Sequence, residues 1–274
     1  MNRIVNRIVD LRTYDSVVSD LDGTLWLGGA PLRGAVDLLD GFRRRGAAVC
    51  VATNASVPTR AELFGRLADV GLMRDGDGLV TAAEALAAQA ARLGVREAAV
   101  IGEAGLVDAL GRAGVHAVPA DDAWSRWRTD RTHEGRAVAI GLAPETNIRT
   151  LGRVATLLEC PLPLLATTAE VAYPTQEGMS AGTGMVLAAL ASRLSIDPIL
   201  CGKPSMNFLD ALQRVVSGRV LMVGDTVEAD VELASIAGWD SLLVLTGTSA
   251  AETASHSRAT YVLNDLTEIT NHGR

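Results

Sequence analysis

The sequence of 274 residues predicts an α/β protein with a Rossmann-like parallel sheet and a second, inserted α/β domain. Three observations carry this prediction. Short apolar runs typical of buried strands alternate along the chain with helix-like segments. Several of these runs end in polar side chains, and the ligand crevice of a parallel sheet lies at the carboxyl ends of its strands. A long segment with strand-like and helix-like runs of its own lies between the second and third of the polar segments.

The first polar strand end is V-V-S-D-L-D-G-T, residues 17–24. Asp20 and Asp22 point the same way if the strand pleat persists, so both carboxylates can enter the crevice. One carboxylate can then act as a nucleophile and the other as an acid or base. Asp and Gly are also common in strand-to-loop turns for backbone reasons alone, so this segment by itself leaves both interpretations open.

Three further segments place polar groups at equivalent positions. The run V-C-V-A-T-N-A-S, residues 49–56, ends in Thr53 and Asn54, which can donate hydrogen bonds to an anion. The turn G-K-P places Lys203 before a helix-like run, 206–216, as a point charge for phosphate. The run V-L-M-V-G-D-T-V-E-A-D, residues 220–230, adds Asp225 and Asp230. Taken singly, each has an ordinary explanation, such as a solvated lysine or a helix-surface aspartate.

Together and in this order, the four segments resemble the four motifs of the haloacid-dehalogenase-like (HAD) phosphatase superfamily, over nearly the whole chain. The resemblance implies a magnesium-dependent phosphatase that hydrolyses a small phosphorylated metabolite through an aspartyl-phosphate intermediate. Asp20 would be the nucleophile, and Asp22 would protonate the leaving alcohol and later activate water. The implied Mg²⁺ ligands are Asp20, the main-chain carbonyl of Asp22, and Asp225, with Asp230 orienting metal-bound water. The implied phosphate-binding residues are Gly23, Thr53, Asn54 and Lys203.

Phosphate chemistry explains why these residue types are needed. A phosphate monoester dianion repels nucleophiles, so an enzyme must supply positioning and positive charge. Hard carboxylate oxygens suit magnesium, which can bridge nucleophile and phosphate, and Lys203 adds a second positive charge. The hydroxyl of Thr53 and the backbone amides near Asp22, Gly23 and Asn54 can hold the phosphoryl oxygens.

The position of the insertion indicates the family branch. Residues 24–49 leave room only for a loop and a helix-like segment, 34–45, whereas residues 56–203 hold strand-like runs at 98–101, 137–141 and 163–166. This arrangement resembles the NagD-like branch, whose α/β cap is of class 2, subclass A, and which contains 4-nitrophenyl, pyridoxal phosphate and phosphoglycolate phosphatases. Residues 166–184 and 242–247 resemble stretches of that branch. We therefore expect a catalytic core at 1–93 and 174–274 and a cap domain at 94–173.

The departures from the branch concern substrate choice. Thr168 and Glu170 stand where the branch has Asn and Asp, and Ala55 replaces a second Asn. Glu170 is expected near the cap hinge, where it either binds a substrate hydroxyl or amine or forms a hinge salt bridge. Thr168 and Trp26 are the other candidate substrate-selecting residues, although Trp26 can equally fill the core edge. Glu170, Thr167 and Thr168 can bind substrate hydroxyls, and aromatic residues that could stack on a base are scarce, at 4%, so we expect a sugar or polyol phosphate.

The remaining features mostly exclude functions. A net charge of −7 and a pI near 5.2 argue against nucleic-acid binding. No apolar run is long enough to span a bilayer, and the first ten residues lack a signal-peptide core, so we expect a cytoplasmic protein without membrane attachment. A basic, aromatic patch in the cap suits an anionic substrate or an interface, such as a homodimer through the cap, but is expected to be a polar surface loop. Its residues are Trp124, Arg126, Trp127, Arg128, Arg131 and His133.

Three rival functions remain at this point. A haloacid dehalogenase shares the nucleophile and the lysine but needs neither Asp22 nor the magnesium site, so the presence of both argues against it. A non-catalytic phospholigand-binding regulatory protein predicts loss of at least one essential group. None is missing here, since the sequence retains Asp20, Asp22, Lys203 and Asp225. A phosphotransferase that passes the phosphoryl group to another alcohol stays open.

Overall fold

The computed structural model describes residues 9–130, 132–175, 178–247 and 257–270. The strands, in chain order, are β1 (Ser16–Ser19), β2 (Trp26–Leu27), β3 (Ala30–Pro31), β4 (Ala48–Thr53), β5 (Gly78–Thr81), β6 (Glu97–Ile101), β7 (His116–Pro119), β8 (Arg136–Ile140), β9 (Leu164–Ala166), β10 (Ala172–Thr175), β11 (Gly178–Ala181), β12 (Ile199–Leu200), β13 (Val220–Gly224), β14 (Asp240–Val244) and β15 (Tyr261–Leu263). The helices are α1 (Ala35–Arg43), α2 (Arg60–Asp69), α3 (Ala82–Arg92), α4 (Ala104–Arg112), α5 (Ala120–Trp127), α6 (Ile148–Leu157), α7 (Thr183–Ala191), α8 (Met206–Leu212), α9 (Glu232–Ala237) and α10 (Thr267–Thr270). A 3₁₀ turn covers Leu11–Thr13 and a π-helical turn covers Val227–Val231.

The first of two compact units comprises residues 1–53, 63–80 and 203–274, as far as they are described. Its sheet has the strand order β15-β14-β13-β1-β4-β5. Strand β1 pairs in parallel with both β13 and β4. The chain therefore adds β4 and β5 on one side of β1 and β13 to β15 on the other. Such a reversal of strand order opens a crevice at the carboxyl ends of the central strands, and β1 and β13 meet at this point.

Continuous apolar runs form these strands because the central strands of the sheet are buried on both faces. Val17, Val51 and Val223 are fully buried in one cluster, into which α1 packs Leu39 and Phe42. This core fixes the register of β1, β4 and β13, and so fixes where the polar residues after each strand lie.

The second compact unit comprises residues 54–62 and 81–202. Its parallel sheet has the strand order β12-β9-β8-β6-β7, and it has a hydrophobic core of its own. A reciprocal capping box between Thr81 and Glu84 starts α3. Strands β10 and β11 pair with each other in an antiparallel arrangement, apart from that sheet.

The predicted fold class, a parallel α/β core with an inserted α/β domain, is confirmed. The three strand-like runs of the insertion correspond to β6, β8 and β9. The second unit contains the segment 94–173 and extends beyond it on both sides, and the domain boundary proposed from the sequence stays a prediction. No helix in the described ranges is long and apolar enough to cross a membrane.

The expectation of a polar surface loop at residues 124–133 is wrong for its first half. Trp124 and Trp127 lie in helix α5, and Trp127 is buried with its indole N–H donating to Glu97 at 3.1 Å. The Arg136 guanidinium lies 4.9 Å from the Trp127 ring centroid. An indole buries a large apolar area once its N–H has a partner, which explains why this tryptophan joins the core. Arg131 lies outside the described residues.

Candidate active site

Three carboxylates converge at the carboxyl ends of β1 and β13 in the first unit. Asp20 follows β1 directly, and its backbone N–H continues the ladder by donating to the Val223 carbonyl. Asp225 follows β13, and Asp230 lies in the π-helical turn behind it. One oxygen from each of the three side chains lies within 4.8 Å of the others. All three are buried, with relative exposures of 8%, 3% and 2% for Asp20, Asp225 and Asp230.

Lys203 enters this cluster from the turn before α8. Its Nζ donates to Asp20 Oδ1 at 2.5 Å and to Asp230 Oδ1 at 2.7 Å. The ammonium is buried, and burial alone would lower its pKa. The charges of Asp20 and Asp230 outweigh that effect and raise the pKa above its usual range, so Lys203 is a fixed cation. The structure thus brings together Asp20, Lys203, Asp225 and Asp230, as the strand-end argument predicts.

The π-helical turn orients Asp230. The Thr226 backbone N–H donates to Asp230 Oδ2 at 3.1 Å, while Lys203 holds Oδ1. Both oxygens of this carboxyl group therefore have a donor partner within the first unit. Burial raises the pKa of Asp230, the charge of Lys203 opposes this, and the neighbouring Asp20 adds to the rise.

Close backbone approach holds Asp225 in place. A Cβ added to Gly247 would lie 1.9 Å from Asp225 Oδ2, and one added to Gly23 would lie 2.8 Å from the same atom. Gly23 also has a φ of +83°, which other residues rarely adopt. The Thr24 hydroxyl donates to Asp225 Oδ1 at 3.3 Å. Two glycines therefore leave only the space that this carboxylate fills.

Asp22 lies at the end of the same turn, where an isolated bridge pairs it with Trp26. The Trp26 indole N–H donates to Asp22 Oδ1 at 2.8 Å. Asp22 is exposed to solvent. Desolvation of its carboxyl group and the charge of Asp20 raise the pKa of Asp22, against the lowering effect of the indole N–H.

Two of the predicted site residues have other contacts in the structure. The Gly23 amide, expected to hold a phosphoryl oxygen, donates instead to the Trp26 carbonyl at 2.8 Å. Trp26, considered as a wall of the substrate pocket, is 4% exposed and belongs to the core cluster. Thr53 is the last residue of β4 and is buried. The sequence could have indicated the Trp26 contact only through its spacing, four residues after Asp22.

The remaining predicted residues lie in the second unit. The Asn54 side-chain amide donates to Glu170 Oε1 at 3.0 Å. The hydroxyl of Thr168 accepts a hydrogen bond of 3.1 Å from the Glu170 backbone N–H. This contact fixes the backbone between Thr168 and Glu170. A Cβ on Gly202 would lie 2.6 Å from Asn54 Oδ1, so this glycine packs directly against the amide group. Thr168 and Asn54 thus both hold Glu170.

The carboxylate cluster fits a divalent cation. Asp20, Asp225 and Asp230 bring three carboxyl groups together, and the ammonium of Lys203 pairs with two of them. Three buried carboxyl groups around one ammonium form an environment that a bound dication would stabilise. All the donor atoms are carboxylate oxygens, which magnesium prefers.

The sequence and the fold both have known counterparts. One family model, haloacid dehalogenase-like hydrolase, matches residues 17–116, and another, HAD-hydrolase-like, matches residues 200–269. The chain is 31% identical over 267 residues to the D-glycerol 3-phosphate phosphatase of Mycobacterium tuberculosis, covering 93% of this chain and 71% of that one. It is 28% identical over 256 residues to phosphoglycolate phosphatase 2 of Arabidopsis thaliana, covering 87% and 85%. A crystal structure of a glycerol phosphate phosphatase from Mycobacterium tuberculosis in complex with magnesium matches with a TM-score of 0.81 at 29% identity, covering 94% of this chain and 76% of that one.

A parallel α/β core with an inserted α/β unit, and aspartates and a lysine at its strand ends, defines a hydrolase of the HAD type. The chain belongs to the haloacid dehalogenase-like hydrolase family and to its NagD-like phosphatase branch. The resemblance inferred from the four polar segments is thereby confirmed.

Proposed function

We propose that this protein is a cytoplasmic, magnesium-dependent phosphatase that hydrolyses a small phosphate monoester through an aspartyl-phosphate intermediate. The observation that carries the proposal is the buried cluster of Asp20, Lys203, Asp225 and Asp230. It combines a candidate nucleophile, a fixed cation and a dication-binding set of oxygens in one place. Phosphoryl transfer requires this combination because negative charge must be neutralised before an anion can attack.

The first step in this mechanism forms a bond between an Asp20 carboxylate oxygen and phosphorus while the bond from phosphorus to the alcohol oxygen breaks. Protonated Asp22 gives its proton to the departing alcohol oxygen. In the second step Asp22 takes a proton from water, which attacks phosphorus and releases Asp20 and inorganic phosphate. The ammonium of Lys203 stabilises the negative charge at Asp20 and the phosphoryl group.

Magnesium would be held by Asp20 and Asp225, with Asp230 next to them and the Asp22 main-chain carbonyl as a further ligand. When bound, it supplies the positive charge that brings the anionic ester and the nucleophile together. The Thr53 hydroxyl and the backbone amide of Asn54 would contact the phosphoryl oxygens. The Gly23 amide joins them only if its hydrogen bond to Trp26 opens.

A sugar or polyol phosphate is the proposed substrate class. Glycerol 3-phosphate, which the name of the Mycobacterium tuberculosis relative specifies, is a polyol phosphate. Glu170 and Thr168 supply oxygens that suit substrate hydroxyl groups. A carboxylate held by Asn54 has a defined direction, which favours a specific hydrogen bond to one hydroxyl.

The test is phosphate release from a panel of sugar, polyol, nucleoside and aryl phosphates, with magnesium and with excess chelator. We expect magnesium-dependent release, with the highest kcat/KM on a sugar or polyol phosphate. Thermal unfolding gives a second readout, since magnesium that binds the native state raises Tm for wild type but much less for Asp225→Asn. Full activity in excess chelator would overturn the metal assignment, and no release from any ester would overturn the function.

A further inference from the structure

We propose that Trp26 is a positioning residue for the general acid: its indole N–H holds Asp22 Oδ1, so that Oδ2 is the oxygen that gives the proton to the leaving group. This inference rests on the proposed function, which assigns the acid role to Asp22. The contact is 2.8 Å long and lies wholly within the first unit.

The indole N–H can only donate in this contact, because its nitrogen offers no acceptor site. Its hydrogen bond therefore selects the acceptor oxygen of Asp22. With Oδ1 occupied, Oδ2 is the favoured oxygen for the proton in the acidic form of Asp22. General-acid catalysis needs the donating oxygen within hydrogen-bond reach of the leaving group, so fixing the carboxyl plane contributes directly to the rate.

The backbone makes this contact rigid. The Trp26 carbonyl accepts from the Gly23 N–H at 2.8 Å, and the Trp26 N–H donates to the Leu21 carbonyl at 3.1 Å. These bonds close the turn that carries Asp22, with Trp26 at its far end. The short pairing of β2 with β3, in which Trp26 lies opposite Pro31, extends this turn.

The ring itself is held from two sides. Trp26 is 4% exposed in the core of the first unit, and the Arg66 guanidinium of α2 lies 5.1 Å from its ring centroid. A ring packed in this way loses few rotamers when it binds Asp22, so the hydrogen bond is preorganised. Packing of the Trp26 ring in the hydrophobic core therefore helps to fix the carboxyl group that gives its proton to the leaving group.

The experiment is the leaving-group dependence of Trp26→Phe, which keeps an aromatic ring and removes the N–H. A series from 4-nitrophenyl phosphate to phenyl phosphate and glycerol 3-phosphate gives log kcat/KM against leaving-group pKa. Departure of 4-nitrophenolate needs little protonation, whereas departure of an alkoxide depends on it. We expect kcat/KM to fall by less than about twofold on 4-nitrophenyl phosphate and by about tenfold on the alkyl ester. The larger loss is the effect expected when a hydrogen bond to a charged group is removed.

The chain offers a matched control. Trp127 is also buried, and its indole N–H also donates to a carboxylate, that of Glu97 at 3.1 Å, but in the second unit. Trp127→Phe should leave the slope of log kcat/KM against leaving-group pKa unchanged. In an Asp22→Asn background, where the acid is already lost, Trp26→Phe should not steepen the slope further.

A measurement that leaves Trp26 in place covers the case in which Trp26→Phe fails to fold. The Trp26 indole N–H, followed by ¹⁵N-resolved hydrogen exchange, should exchange faster in Asp22→Ala than in wild type. An equal loss on all leaving groups, or unchanged indole exchange in Asp22→Ala, would overturn the positioning role. If wild type hydrolyses no ester, the proposed function fails instead, so the two failures are distinguishable.

Discussion

The side-chain amide of Asn54 donates a 3.0 Å hydrogen bond to the carboxylate of Glu170, 116 residues further along the chain. Asn54 immediately follows Thr53, the last residue of β4, so one partner belongs to the second polar segment of the sequence. The other partner, Glu170, is one of the residues at which the sequence departs from the pattern of the branch it resembles. One carboxylate oxygen of Glu170 is thus fixed by the protein, which sets the direction of the other.

This pair predicts that Glu170→Gln changes substrate preference more than chemistry. If Glu170 binds a substrate hydroxyl, its neutral replacement should raise KM for the preferred sugar or polyol phosphate by about 10- to 100-fold, corresponding to about 1.5–3 kcal/mol for a hydrogen bond to a charged group. Activity on 4-nitrophenyl phosphate should change little, because that ester has no hydroxyls. Steady-state kinetics on both substrates checks this. An equal loss on both would assign Glu170 to holding Asn54 alone.

Asp20→Asn should abolish turnover without unfolding the protein. The amide is nearly isosteric with the carboxylate but is a very poor nucleophile, so kcat should fall by several orders of magnitude. Phosphate release from 4-nitrophenyl phosphate measures the loss, and circular dichroism checks the fold. A variant with near wild-type kcat would exclude Asp20 as the nucleophile.

Much of the core site could be predicted because strand position determines it. Asp20, Thr53 and Asp225 each come at or just after the end of a parallel strand, and such ends meet at one edge of a sheet. An apolar run that stops at a polar residue is visible in the sequence. Lys203 was predictable through its turn before α8, because the residue type and the order of segments match a known pattern.

The contacts that were missed depend on tertiary packing. The spacing of Trp26 from Asp22 is the only sequence signal for their contact, and the contact itself depends on the positive φ of Gly23 and on the packing of the ring. The π-helical turn that directs Asp230 to Lys203 likewise has no composition signal. The Asn54–Glu170 hydrogen bond joins residues 116 positions apart in the sequence, and no local sequence pattern predicts that they are in contact. Local patterns specify strand ends, whereas side-chain direction follows from the assembled core.

Lys203→Met should cost far more stability than loss of a surface ion pair. Removing the buried ammonium leaves Asp20 and Asp230 without their cation, and breaking a buried pair in this way typically costs about 3–5 kcal/mol. Arg193→Met is the control, because the pair of Arg193 with Glu159 is about half exposed and such pairs contribute about 0–1 kcal/mol. Urea unfolding in chelator measures both free energies. Equal costs would contradict a structural role for Lys203.

Gly247→Ala should weaken magnesium activation by displacing Asp225. The new Cβ would lie 1.9 Å from Asp225 Oδ2 and 2.4 Å from its Cγ, distances that no real Cβ tolerates. The carboxylate or the backbone must therefore shift, and a metal ligand that moves by this much loses its coordination distance. We expect the magnesium concentration for half-maximal activity to rise by at least about tenfold, equivalent to about 1.4 kcal/mol of binding energy.

Gly65→Ala provides the control for this last prediction. Gly65 lies in α2, where an added Cβ meets nothing within 4 Å. Replacing a helical glycine by alanine should stabilise the protein by about 0.5–1 kcal/mol and leave magnesium activation unchanged. Titration of activity with magnesium compares the two variants, and thermal unfolding with and without the ion gives the second readout. If Gly247→Ala titrates like wild type, Asp225 either tolerates the displacement or does not bind the ion. The Asp225→Asn variant separates these explanations, because only a true ligand loses magnesium binding when its charge is removed.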